Sequence, residues 1–262
     1  MKDYRMKTIG LIISMPCFIL LLTVSCKKKA IENVETPAAQ GISDPELVNG
    51  LFQSFRQFTF FNDTLKQQSG SANGILYNSL VEYNVFDATK GIDVGSIQVN
   101  TLTLQKVINI NVHPNSYFFY DSLNTIINKP CSWSIAGKNS FLPLTINDDS
   151  NFPSYTGYKD LPDTIDLEKS NTILITDYFG AEHIEITVRG VSSSVTKIIR
   201  TPKNQAIFDI EEIAQLDVQY GVPVDIYLTF TKTDFKYFGG KVYQLNTNTS
   251  LIKHCGFKKT HH

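Results

Sequence analysis

His183-Ile184-Glu185-Ile186-Thr187-Val188 places an apolar residue at every second position and a polar one between. Successive side chains of a strand point to opposite faces, so this stretch predicts a strand with one buried and one wetted face. The same period recurs on both sides of it. Downstream lie Val195-Thr196-Lys197-Ile198-Ile199, Ala206-Ile207-Phe208-Asp209-Ile210, the long run from Val222 to Phe230, Lys241 to Leu245, and Ser250 to Cys255. Glu211 to Leu216 reads as one helical turn between two strands. Upstream lie Thr172 to Thr176 and, earlier, Val81 to Phe86, Ile92 to Val94, Ile97 to Asn100, Val107 to Val112, Ser116 to Tyr120, Ser132 to Ile135 and Leu142 to Ile146. Asp87, Gly91, Pro114, Asn115, Asn128 and Gly137 punctuate them. Short β-rich runs with such turn signals point to a sandwich or barrel.

A different period precedes these runs. Ser43-Asp44-Pro45-Glu46 is a helix-start signal, and Leu47, Leu51, Phe55 and Phe58 follow at helical spacing. The fold class predicted is mainly β: antiparallel β-sandwich (Ig-like) units with one short N-terminal helix. Residues 45–150 hold the helix and a first sandwich unit, and 166–257 a second unit. Residues 151–165, rich in Asn, Asp, Ser and Pro, form the linker, and 258–262 a tail. One larger sandwich is the alternative, because 141–170 has enough apolar residues to pack as strands.

The extreme N-terminus carries the basic residues Lys2, Arg5 and Lys7, then no charge from Thr8 to Cys26. This is the order of a secretion signal. The run ends at Thr23-Val24-Ser25-Cys26 and is followed by Lys27-Lys28-Lys29. It resembles the lipobox of bacterial lipoproteins, and Ser25-Cys26-Lys27-Lys28 resembles the start of Bacteroidota lipoproteins. Thr23 departs from the pattern, whose usual Leu stands one residue early as Leu22. The resemblance implies a signal peptide over 1–25, a lipid on Cys26 and a flexible tether over 26–44. It also implies an envelope location, on the outer membrane. An acidic stretch after the cysteine accompanies surface export in such lipoproteins. Lys27-Lys28-Lys29 replaces it here, so periplasmic and surface-facing orientations both stay open.

Loss of residues 1–25 removes three basic residues and one acidic residue from totals of 24 and 25, for a net charge near −3. That balance offers no electrostatic basis for binding nucleic acid. The membrane is reached through the N-terminal lipid. With Cys17 in the signal and Cys26 lipidated, Cys131 and Cys255 remain. A disulfide between them and two buried small thiols are both open.

Familiar catalytic spacings are missing: no H-E-x-x-H and no G-x-S-x-G occurs. Gly137-Lys138-Asn139-Ser140 lacks the upstream glycine of a phosphate loop. His254-Cys255 would point to opposite faces of a strand, with no second ligand pair in view. Asp148, Asp149, Asp160, Asp163 and Asp166 are acids in turn-like sequence, and no cofactor is implied. Phe152-Pro153-Ser154-Tyr155-Thr156-Gly157-Tyr158 sets three rings in a connection. Phe152, Tyr155 and Tyr158 are either a platform for sugar or peptide, or plugs for the joint. Trp133 reads as core. The function expected is a lipid-anchored, non-catalytic binding or assembly role toward a glycan or envelope protein. A secreted polysaccharide or peptide hydrolase and a structural spacer are the alternatives. An edge strand within Val222 to Phe230 would favour partner binding by strand addition.

Overall fold

The computed structural model describes residues 47–61, 64–82, 90–107, 116–121, 131–139 and 141–259. The expected signal peptide, Cys26, the expected tether, His113, most of the Val107–Val112 run and residues 260–262 lie outside the described residues. Within them the chain forms β1 (Leu47–Phe61), β2 (Thr64–Glu82), β3 (Ile97–Val99), β4 (Leu102–Thr103), β5 (Gln105–Val107), β6 (Ser116–Asp121), β7 (Cys131–Ile135) and β8 (Leu144–Asp148). After these come β9 (Ser154–Tyr155), a 3-10 turn (Gly157–Asp160), β10 (Thr164–Asp166), β11 (Asn171–Leu174), β12 (Tyr178–Phe179), β13 (His183–Arg189), β14 (Ser194–Arg200) and β15 (Gln205–Phe208). The helix α1 (Ile210–Ile213), β16 (Val224–Phe238) and β17 (Lys241–Lys258) complete the order. The fold is mainly β. No helix among the described residues is long and apolar enough to cross a membrane.

One sheet of nine strands organises the molecule, in the order β14-β13-β16-β17-β1-β2-β6-β5, with β10 also on β17. It is mixed. β1 runs parallel to β17, Gly50 beside Tyr243 through Phe61 beside His254, while β2 and β16 pair antiparallel on the outer sides. β10 takes up Gly256 to Lys258 of the same β17 edge, just past the end of β1.

The N-terminal helix expectation is therefore corrected: Leu47–Phe61 is a strand. Its apolar residues are not confined to one helical stripe. Leu51 and Phe52 are both fully buried, on opposite sides of the strand. A strand paired on both edges and covered on both faces loses the period-2 signal, and the spacing of Leu47, Leu51, Phe55 and Phe58 arises within it. A second correction concerns Val222 to Phe230. The residues from Val224 form the first half of β16, which is paired on both sides, with β13 and β17. The sheet ends instead at β14, whose central Lys197 reaches Glu212 of α1 at 2.8 Å. A lysine in mid-edge is a common guard against unwanted strand addition. The expected helical turn is present as α1, where the Glu212 carboxylate accepts from Asp209 N at 2.8 Å.

Residues Asp44–His262 form one compact unit that holds two main hydrophobic clusters. Alternation along β17 explains how one sheet serves both. One face reads Tyr243, Leu245, Thr247, Thr249, Leu251, Lys253, Cys255. Tyr243 and Leu245 join Phe52, Ile97, Trp133, Ile135 and Ile146, where the four-stranded sheet β4-β3-β7-β8 covers the large one. Leu251 and Cys255 join Ile184, Ile186, Ile226, Phe230, Ile173 and Phe208, where the β11–β15 pair and α1 provide the cover. Thr247 and Thr249 lie between, as a polar seam. Trp133 is core, with its ring centroid 5.0 Å from that of Phe52.

Cys131 and Cys255 are buried free thiols, one in each cluster. Of the two alternatives left open by the sequence, the structure therefore takes the second. The Cys255 thiol donates to Pro162 O at 3.0 Å. Burial pushes the Cys131 thiol up to about 11 and the Cys255 thiol up to about 12, so both stay protonated and unreactive at neutral pH. The expected result of a thiol titration is no reaction of these two cysteines at pH 8 and reaction of both in denaturant. Rapid native labelling at either position would contradict this packing.

Candidate functional site

The seam between the two clusters is where the connection from β8 to β9 crosses the sheet. Several of its polar groups are satisfied locally. Thr247 Oγ1 donates to the buried Asp148 carboxylate at 2.9 Å, and Ser150 N donates to the same carboxylate at 3.0 Å. Thr249 Oγ1 donates to Pro153 O at 2.5 Å, and Arg56 Nη2 lies 3.4 Å from that oxygen. The Arg56 guanidinium also sits 5.1 Å from the Phe152 ring centroid. Burial lowers the Arg56 pKa from its ordinary value.

These contacts hold down one side of an open depression of about 300 Å³. The segment after β8 lines it with Asp149, Ser150, Asn151 and Phe152, and the β12 turn with Phe179 and Gly180. Lys232 and Asp234 of β16 close the other side. They alternate in phase with Phe230, so the face that is core at Phe230 becomes charged two residues later. Asp234 is ion-paired with Lys236 at 2.7 Å and accepts from Phe235 N at 2.9 Å. The Lys236 pKa is raised, first by that bond to Asp234 and further by the charges of Asp148 and Asp149.

The ring of Phe179 is 81% exposed. Local pairing explains why. β12 pairs with β9, Tyr178 opposite Tyr155 and Phe179 opposite Ser154. Tyr155 stacks on Phe230 at 4.6 Å and Tyr178 lies 6.0 Å from the same ring, so this pair faces the core. Alternation then turns Phe179 outward. The three rings singled out from sequence are thus dispersed. Phe152 is buried and lines the depression, Tyr155 packs on Phe230, and Tyr158 stacks on Phe60 at 4.2 Å. Phe179 was missed: Asp177-Tyr178-Phe179-Gly180 carries an aromatic pair beside glycine, but nothing in it tells which ring points to water.

The other candidates fall to separate local structures. Asp160 accepts from Thr176 Oγ1 at 2.5 Å, Asp163 pairs with Lys253 at 2.8 Å, and Asp166 accepts from Glu168 N at 3.1 Å. Lys138 pairs with Asp93 at 2.8 Å. Lys138 and Lys106, in that order, hold the Asp93 carboxyl well below the usual carboxylate range. His254 Nδ1 lies 2.6 Å from Asp225, and its neighbour Cys255 is buried on the opposite face. His183 is on β13, inside the sheet, and burial lowers its pKa. Among the described residues no group of three His, Cys, Asp or Glu is placed to hold a metal ion. Asp149 and Asp234 share the depression, but Asp149 is exposed and Asp234 is ion-paired. Compared with known proteins, the chain matches no family profile and no curated protein.

Proposed function

We propose that this chain is an envelope lipoprotein, lipidated on Cys26 and held on the outer membrane, whose β layers serve a non-catalytic binding role toward a glycan or an envelope protein. The observation that carries the anchoring is Thr23-Val24-Ser25-Cys26 at the end of an uncharged run behind Lys2, Arg5 and Lys7. The binding role is supported by the depression beside Phe179, where an exposed ring stands among amide, carboxylate and ammonium groups. An Ig-like sandwich reading is supported by the four-stranded sheet packed on the nine-stranded one around Trp133. Lys27-Lys28-Lys29 stands where an acidic export stretch would, which leaves the periplasmic and surface-facing orientations both open.

Growth with an alkynyl fatty acid, followed by intact-mass analysis, tests this reading. The expected product lacks residues 1–25 and carries lipid, while Cys26→Ala takes up no label. Retention of residues 1–25 in the mature chain would overturn it.

A further inference from the structure

We propose that the depression beside Phe179 is a sugar subsite that takes one pyranose ring of a neutral glycan. This rests on the binding role above and names its ligand class. A pyranose has an apolar C–H face and an equatorial rim of hydroxyls, each of which both donates and accepts. The depression matches both parts. Phe179, a residue 81% exposed, offers its ring to the ligand. Around it, Asp149 supplies acceptors, Lys232 supplies donors, and Asn151 supplies both.

Size and charge narrow the class further. About 300 Å³ is at the small end of ligand pockets, enough for one ring with the rest of a chain outside. Carboxylates and an ammonium are both present, so an anionic glycan meets Asp149 and Asp234, and a cationic one meets Lys232. A neutral ring meets neither penalty. Phe179 is also not merely a stray surface ring. Tyr220 is 90% exposed but does not line the depression, and it provides the contrast.

The test uses the full chain extracted from membranes in a zwitterionic detergent, since sugar-headed detergents would compete. Saturation-transfer NMR is run with maltohexaose, cellohexaose, xylohexaose, mannohexaose and chitohexaose. At least one should bind with a Kd of about 1 mM or tighter, with saturation strongest at ring C–H protons. Phe179→Ala should weaken that binding by about tenfold, whereas Tyr220→Ala should leave it unchanged. Asp149→Asn should weaken it by about threefold or more through the lost charge-assisted bond. All three substituted positions are at the surface, and an unchanged thermal melt will establish that the variants fold. Absence of binding across the panel would overturn the sugar subsite. So would binding that Phe179→Ala does not alter. A photo-crosslink from position 179 to a protein would overturn it as well, while leaving the anchored binding role standing.

Discussion

Lys253→Met is expected to lower the unfolding free energy by about 3 kcal/mol, read as a fall in the urea midpoint with an unchanged slope. Lys253 sits on the core-facing side of β17 and is fully buried. Its ammonium donates to Leu161 O at 2.7 Å, lies 3.5 Å from Tyr158 O and pairs with Asp163 at 2.8 Å. It thus ties the central strand to the turn that follows β9. Methionine has nearly the same length, so little cavity is created. What is lost is the partner of two backbone carbonyls, each costing about 1–3 kcal/mol if left unsatisfied. Breaking a fully buried ion pair would cost more, about 3–5 kcal/mol, because the remaining charge is stranded. Here the Asp163 side chain is 76% exposed, so water takes over its charge. Asp163→Asn leaves the buried Lys253 ammonium on its carbonyl partners but without a carboxylate, so it should cost about 1–2 kcal/mol, less than Lys253→Met. Equal losses for the two variants would show that the ion pair, rather than carbonyl satisfaction, is what matters.

Gly190→Ala should be destabilising by a similar amount, about 3 kcal/mol, through a steric route. A Cβ at Gly190 would overlap the carbonyl oxygen of Asp217 and come within 2.8 Å of its carboxylate. Neither group can retreat freely. Asp217 O accepts from Val191 N at 2.9 Å. The Asp217 carboxylate accepts from Ser192 N and Ser193 N at 2.7 and 2.8 Å, and from both serine hydroxyls. Those serine hydroxyls hold the Asp217 carboxyl well below the usual carboxylate range. The Asp217 backbone is held as well, its N–H donating to Ser193 Oγ at 2.7 Å. The β13–β14 turn is thereby clamped to the segment after α1, and a methyl group at its start would pry the clamp open. A loss below about 1 kcal/mol in urea unfolding would mean that the turn can shift without releasing Asp217.

The strands legible in the sequence are those with one apolar face. β13, β15, β7 and β8 alternate between buried and more exposed residues, as their side chains do. The central strands were harder to read for a physical reason. β17 appears as two apolar runs because Asn246 to Thr249 is polar, yet these residues are buried and the strand is unbroken. Thr247 and Asn248 find partners in Asp148 and Thr231, which lie far from them in sequence. In β2, Ser69-Gly70-Ser71-Ala72-Asn73-Gly74 has the composition of a loop. Small residues are needed there because Phe52 packs across them, and a Cβ on Gly74 would come within 3.2 Å of that ring. The site was legible in part. The connection carrying Phe152 was recognisable as unusual, but which of its rings point inward depends on Phe60 and Phe230.

The parallel pairing of β1 with β17 bears on the order of events during biogenesis. Gly50 and Tyr243 are sheet neighbours though they lie at opposite ends of the chain. Contacts of such long sequence separation make folding slow, because the whole intervening chain must be closed into a loop first. β1 therefore waits, with Phe52 and Phe60 incompletely covered, until the last strand is available to pair with it. A nascent chain stopped short of Lys241 would lack the strand that joins the β16 side of the sheet to the β1 side. It should remain a substrate for holding chaperones and proteases rather than form half of the structure.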